Sequence, residues 1–369
     1  MSERPYIGGQ AVIEGVMMRS PHSVSVVCRR RSGELVVREE PAARARAKLF
    51  KMPLVRGVAT LVESLQVGTR ALRFSAELYE QDLGDNNEGP TAKKGGGSIA
   101  TAMALTIAAL ATQSDAPPAK PTNDKGGSGI LSALPILFAL ALFVALPQAT
   151  AEGISRWFHL GLEVTSPAFQ AITGGAKLVI IVSYLLGIRL LVAEVRRVFQ
   201  YHGAEHKAIS TYEASEALSV ENARRKTTLH ARCGTTFLVM VALVSIIVFS
   251  IVGAFLPPFH APRLVQNVAF FAFKLPFLPV IAAITFELQR FFARYCSSGP
   301  LRVVLWPGFL VQKITTAEPN DDQLEVALAS LKATLWREAN TTAPKRADRT
   351  FPDFKTLVGD PGYLDAASS

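Results

Sequence analysis

Four apolar runs, Ile130–Ala149, Lys177–Val195, Thr235–Leu256 and Val268–Leu288, constrain this chain more than any other feature. Each approaches the ~20 residues that an α-helix needs to cross about 30 Å of hydrocarbon. Charged residues crowd into the segments between them, the partition that a bilayer imposes on a chain. A content of 49% hydrophobic residues is also high for a soluble protein that carries 19% charge, which argues against a single globular core. The fourth run contains Lys274, Pro276 and Pro279, so a kinked helix facing protein or water is expected there.

Lys and Arg in the short loops set the expected orientation. The loop between the second and third runs holds Arg196, Arg197, Lys207, Arg224, Arg225, Lys226 and Arg232, whereas the flanking loops hold only Arg156 and Arg263. By the positive-inside rule the basic loop is cytoplasmic, and four crossings of an inner membrane then leave both termini in the cytoplasm. The net charge of +9 is explained by basic residues flanking apolar runs, and without a basic stripe interleaved with aromatics no nucleic acid is expected as a partner. Cys28, Cys233 and Cys296 are too few and too scattered for a disulfide framework, which fits a reducing compartment. The polar start has no apolar signal region, so the first membrane helix is expected to direct insertion.

The expected architecture is mainly α: about four transmembrane helices with a small α+β cytoplasmic domain built from the N-terminal segment, the central His/Cys loop and the C-terminal helix. In chain order, 1–80 is an N-terminal α+β segment, 81–129 a flexible linker containing the short apolar stretch Ser98–Ala111, and 130–195 the first two membrane helices. The His/Cys loop follows at 196–234, the third and fourth membrane helices at 235–288, a C-terminal cytoplasmic segment at 289–340 and a weakly ordered tail at 341–369. Within the first segment, valines on either side of Arg31-Ser32-Gly33 predict a hairpin turning at Gly33. Helical spacing from Leu54 to Tyr79 predicts an amphipathic helix on the membrane or on the bundle. Asn320 or Asp321 is placed to cap a helix whose apolar stripe is Leu324, Leu328, Leu331 and Leu335.

Three of the six histidines, His202, His206 and His230, lie in the basic loop. If the second membrane helix continues to Lys207, His202 and His206 sit one turn apart on one face with Glu205 beside them. Histidines at i and i+4 can share a metal ion, and a neighbouring Glu can act as base for water, as in H-x-x-E-H metalloenzymes. His230 and Cys233 would complete an N/N/N/S ligand set suited to zinc, with Glu205 as the catalytic residue. The spacing fits a bland reading equally well, with interfacial histidines binding headgroups or capping the helix and Cys233 packed as a small buried residue. Gly203 inside the motif weakens the required helix. In the opening stretch, Glu14 between glycines reads first as a salt-bridged residue on a glycine-bent strand and second as a ligand or acid/base group.

The strings G-G-Q-A-V-I-E-G-V-M-M-R, F-Q-Y-H-G-A-E-H-K-A-I, H-x-R-C-G-T and P-G-F-L-V-Q-K-I-T-T-A-E-P, in this order over nearly the whole chain, resemble the YqhQ family of bacterial membrane proteins. The resemblance implies a polytopic membrane topology and the family's label of predicted metal-dependent enzyme. By motif match it carries His202, Glu205, His206, His230 and Cys233 onto this chain. The linker around 113–129 and Ala231, where proline is common in the family, depart from the pattern without touching a proposed ligand.

The leading expectation is therefore a membrane protein with a zinc-type site on its cytoplasmic face, structural or hydrolytic, acting on a membrane lipid, a peptide or a small molecule. A non-enzymatic membrane factor docking a protein partner, such as biogenesis or translocation machinery, is the alternative. A transporter ranks third, since no inverted repeat or matching pair of broken helices is evident.

Overall fold

The computed structural model describes residues 4–42, 55–84, 141–255, 261–295, 303 and 305–364. Most of the first apolar run, most of the 81–129 linker including Ser98–Ala111, and Cys296 lie outside the described residues.

The N-terminal segment is an antiparallel meander. Strands β1 (Gly8–Val12) and β2 (Gly15–Arg19) are joined through Ile13 and Glu14, and the expected hairpin pairs β3 (Ser23–Arg29) with β4 (Leu35–Pro41). Gly33 turns that hairpin at φ 94°. The segment expected to be a weakly ordered tail instead contributes β5 (Arg349–Phe351), giving the order β1-β2-β3-β4-β5 with β1 at a free edge. Phe351 and Tyr363 are buried, and the Tyr363 hydroxyl donates to Glu39 Oε1 at 2.9 Å. Three strand residues are too few to show a period of two, so this strand becomes visible only through its pairing with β4.

The helices, in chain order, begin with α1 (Val55–Gly84), then α2 (Leu146–Trp157) and α3 (Pro167–Leu191). Next come α4 (Ala193–Glu213), α5 (Val220–Arg224), α6 (Gly234–Ala254) and α7 (Arg263–Lys274). The last are α8 (Leu278–Tyr295), α9 (Trp306–Thr315), α10 (Asp321–Ala339), α11 (Phe354–Gly359) and α12 (Pro361–Leu364). Among the described residues, three stretches are long and apolar enough to cross a membrane: Pro167–Leu191, Gly234–Gly253 and Leu264–Phe292. The last is interrupted where expected, by a 3-10 turn at Leu275–Phe277 around Pro276, which lacks the N–H that a continuous helix would use. Lys274, just before the break, donates to Gln170 Oε1 at 2.9 Å and stands 4.5 Å from the Phe270 ring centre, so its ammonium is met inside the bundle.

Both faces of the sheet are covered, which is why its valines run on instead of alternating with polar residues. On one face Val12, Met17, Val24, Val26 and Val36 receive Ala71 and Phe74 of α1, so this amphipathic helix packs on protein. On the other face Ile7, Ala11, Val16, Met18 and Leu35 pack with residues of α4 and α10. Asn320 caps α10 in a reciprocal arrangement with Gln323, and Leu324, Leu328 and Leu331 of the expected stripe are at most 1% exposed. A polar seam joins β3 to α10, with Ser23 Oγ donating to the Thr334 carbonyl at 2.8 Å and Ser25 Oγ to that of Ser330 at 2.7 Å. The N-terminal segment, the His-bearing helix and the C-terminal segment are thus one packed unit.

Because Leu328 is fully buried at the centre of this unit, Leu328→Ala should destabilise it by about 2–5 kcal/mol through lost burial and the cavity left behind. Thermal unfolding of the detergent-solubilised chain should show the midpoint falling by several degrees, and an unchanged midpoint would contradict this packing.

Candidate metal centre

The helix carrying the histidines is its own element. Val192, at φ −118° and ψ 106°, breaks α3 from α4, so the apolar helix α3 does not continue into the motif. Within α4, His202 and His206 are one turn apart with ring centres separated by 4.5 Å. Cys233 arrives from the start of α6, where its sulfur caps the helix by accepting from the Thr235 N–H. Ligand-capable atoms of His202, His206 and Cys233 all lie within 4.8 Å of one another, and all three side chains are buried.

Backbone carbonyls fix which nitrogen each ring presents. His202 Nδ1 lies 2.9 Å from the Thr315 carbonyl oxygen and His206 Nδ1 lies 2.5 Å from that of Thr228. A carbonyl only accepts, so each Nδ1 carries a proton and each Nε2 turns toward the centre, the outer-shell arrangement that orients metal-binding histidines. His202 Nε2 meets Cys233 Sγ at 3.2 Å, whereas His206 Nε2 is buried and makes no hydrogen bond. Glu205 Oε2 is likewise buried without a partner. Such orphaned acceptors are rare in folded proteins and mark places where something else binds. Both groups border a cavity of about 80 Å³ lined also by Gly8, Gly9, His230 and Arg232.

The electrostatics are those of a site holding positive charge. Burial opposes a charged His202, but the Cys233 sulfur and the Glu205 carboxyl outweigh it and hold the imidazole up at about 9. Burial also opposes a Cys233 thiolate, and the imidazoles of His202 and His206 reverse this, holding the thiol well below its usual range. Burial pushes the Glu205 carboxyl up to about 7, against the pull of the same two imidazoles. Two imidazole nitrogens, a thiolate and an adjacent carboxyl make a donor set of the kind that holds a metal ion.

His230, expected as the fourth ligand, sits one layer out. Its ring centre is 5.7 Å from that of His206, and its Nε2 is 3.1 Å from Glu213 Oε2. Three of the four expected ligands therefore have candidate ligand atoms within 4.8 Å of one another, and the fourth lines the same cavity. Glu14 pairs with Arg197 of α4, whose Nε donates to Oε1 at 2.6 Å, as the salt-bridged reading expects.

Positioning residues missed from sequence lie in the T-T-A-E-P stretch. After α9, residues 315–317 cross α4 as a strap: the Ala317 N–H donates to the Phe199 carbonyl at 2.9 Å, and the Ala317 oxygen lies so near Gly203 that a Cβ there would meet it at 2.2 Å. Gly203, which weakens the helix, is thus what lets the strap deliver Thr315 to His202. Gln312, fully buried, accepts from the His230 N–H at 2.8 Å and donates to the His230 carbonyl at 2.7 Å, clamping the loop that carries Cys233. Arg189 at the end of α3 donates to the carbonyls of Ile314 at 2.6 Å and Thr316 at 2.9 Å, filling acceptors that α9 leaves open at its C-terminus. For Gln312 and residues 315–317 the string P-G-F-L-V-Q-K-I-T-T-A-E-P carried the signal, since none is a ligand type at a ligand spacing, whereas Arg189 stood out in the sequence only as a charge near the end of an apolar run.

Comparison with known proteins decides the affiliation. The family profile described as "Protein of unknown function (DUF1385)" matches residues 52–337. The chain belongs to the DUF1385 family. It is also 31% identical to the "Uncharacterized protein YqhQ" of Bacillus subtilis (strain 168) over 338 residues, covering 91% of this chain and 94% of the relative. No solved structure matches this DUF1385 protein.

A Cβ on Gly9 would lie 2.8 Å from the Glu205 carboxyl, while one on Gly8 would meet only Tyr6 at 3.8 Å. Gly9→Ala should therefore push Glu205 out of place and lower the thermal midpoint, and Gly8→Ala should not. Equal behaviour of the two variants in a melt would show that Glu205 is not held against β1.

Proposed function

We propose that this DUF1385 protein is a multi-pass inner-membrane protein that holds a zinc-type ion on its cytoplasmic face and uses it for hydrolysis. His202, His206 and Cys233 are the ligands, and Glu205 is the general base. The observation that carries this reading is the pair of buried, unpartnered acceptors, His206 Nε2 and Glu205 Oε2, on the cavity that the His202–Cys233 pair also borders. Three protein ligands with a carboxylate beside them is the pattern of catalytic zinc sites, which keep one position open, whereas structural sites close with four. A zinc-type ion held there supplies a Lewis acid that polarises the substrate and acidifies water. Glu205 would accept the proton of an attacking water, while His230 stays with Glu213.

Parity supports the four-crossing topology. The sheet, α4 and α10 form one unit, so an even number of crossings must separate its parts. The described spans in Gly234–Gly253 and Leu264–Phe292 make two between α4 and α10, whereas only Pro167–Leu191 stands between the sheet and α4. A crossing by Ile130–Ala149 restores an even count, and the seven Lys and Arg residues of 196–232 place the unit on the cytoplasmic side. Reporter fusions after Ser215 and after Ser369 should then both report cytoplasmic, and opposite locations would overturn this topology.

The site is tested by metal analysis of the purified full chain. About one zinc per chain is expected, falling several-fold in His206→Ala and Cys233→Ser, while Glu205→Gln keeps the metal and loses turnover. Stoichiometric zinc in a triple variant lacking His202, His206 and Cys233 would retire the site.

A further inference from the structure

Among the described residues, the strand that walls the site has an unpaired edge, and that edge selects among substrate classes. β1 is the terminal strand of the sheet, paired on one side only, with β2. Its connection to β2 is a two-residue turn, and Val12 pairs with Gly15 across it. Two residues flanking so short a turn exchange both hydrogen bonds, so Val12–Gly15, Gln10–Met17 and Gly8–Arg19 are the bonded pairs. Gly9 and Ala11, which oppose Met18 and Val16, turn their N–H and C=O groups to the free side.

The protein covers this edge at its far end. The Ile13 N–H reaches Ser75 Oγ of α1 at 3.3 Å, and Ala11 is buried. At the near end Gly9 is exposed, it lines the cavity that holds the ligand cluster, and Glu205 packs against the place where its side chain would be. Among the described residues, the exposed donor and acceptor pair of the edge therefore stands beside the base and the ligands. Exposed strand edges are the sites where extended chains add as a further strand.

We propose that the substrate is a peptide, held extended along β1 by a two-hydrogen-bond bridge to the N–H and C=O of Gly9, with the bond to be cut lying in the cavity. This rests on the hydrolytic reading above and names its substrate class. An amide backbone brings both an N–H for the Gly9 oxygen and a C=O for the Gly9 nitrogen, whereas a lipid ester or a phosphate brings acceptors only. The cavity of about 80 Å³ has room for the reacting group while the rest of the chain lies along the edge. Because Cys233 immediately precedes the span at Gly234–Gly253, the bound segment lies at the membrane surface. In the reaction, the water oxygen bonds to the amide carbon and its proton passes to Glu205. The C–N bond then breaks with return of that proton to the leaving nitrogen, giving an acid and an amine with no redox partner.

The test uses the zinc-loaded full chain in detergent and a series of hydroxamates as probes. Acetohydroxamate reports the metal alone, a penta-alanine hydroxamate adds the backbone, and two further pentapeptides carry methyl groups on alternate backbone nitrogens in either phase. The pentapeptide should bind at least tenfold tighter than acetohydroxamate, and methylation in one phase should remove about tenfold, the worth of one to two hydrogen bonds. Amide exchange across Gly8–Val12 should slow with the unmethylated pentapeptide and not with acetohydroxamate. Binding of acetohydroxamate with no gain from the peptide, or an equal gain in both methylated phases, would overturn the proposal while leaving the metal site standing. Failure of acetohydroxamate itself to bind the zinc-loaded chain would remove the hydrolytic reading and this one with it.

Discussion

Two hydrogen bonds from imidazole Nδ1 atoms to the backbone carbonyls of Thr315 and Thr228 set everything else at this site. A histidine one turn from another on a helix has free rotation about two side-chain bonds, and nothing in its position on the helix aims Nε2 at a common point. Capture of Nδ1 by an oxygen that can only accept removes that freedom and fixes the tautomer together. The rest of the unit formed by the sheet, α4 and α10 can be understood as the means of holding those two oxygens still. Thr315 is carried on the strap, which Arg189 anchors from the end of α3 and which Gly203 allows to touch α4. Thr228 lies in the connection after α5, and buried Lys207 of α4 donates to the Arg224 carbonyl at 3.0 Å while pairing with Glu318 of the strap.

The apolar helices and the sheet-bearing unit meet at this point for a mechanical reason. Cys233 is both a candidate ligand and the cap of α6, so its sulfur is fixed by the start of an apolar helix whose depth in a bilayer would be set by its own length. The histidines, in contrast, ride on α4, which the break at Val192 releases from the direction of α3. That release lets α4 lie across the sheet and α10 while α3 keeps the axis of the bundle. Gln312 then reconciles the two frames, joining the His230 backbone to Thr236 Oγ1 at 2.6 Å on α6.

What was legible in the sequence follows from how local each feature is. The apolar runs, the kink at Pro276, the Gly33 hairpin, the capped C-terminal helix and the i, i+4 histidines are patterns within one element, and each can be read from spacing. The strap, the strand β5 and the edge of β1 are relations between segments as much as 300 residues apart, with no periodicity of their own. Gly9 and Gly203 illustrate the difference. Both read locally as places where a strand bends or a helix weakens, and only the approach of Glu205 to one and of the Ala317 oxygen to the other shows why a side chain is excluded. His230 illustrates the same point from the other side, since its ligand type and spacing favoured the cluster and the contact of its Nε2 with Glu213, 17 residues away, has no signal in the spacing.

The position of His230 bears on chemistry as well as on prediction. A fourth donor at the centre would close the coordination and leave a structural site, in which a carboxyl such as Glu205 has no task and its burial is a pure loss. With His230 Nε2 on Glu213, and Arg232 Nη1 on the other oxygen of that carboxylate at 3.0 Å, the ring is tied to the rim. Glu205 and the Gly9 edge line the same cavity. A buried carboxyl oxygen with no hydrogen-bond partner and, among the described residues, a strand edge with no partner strand each carry an energetic penalty on their own. One ligand bound in that cavity would relieve both.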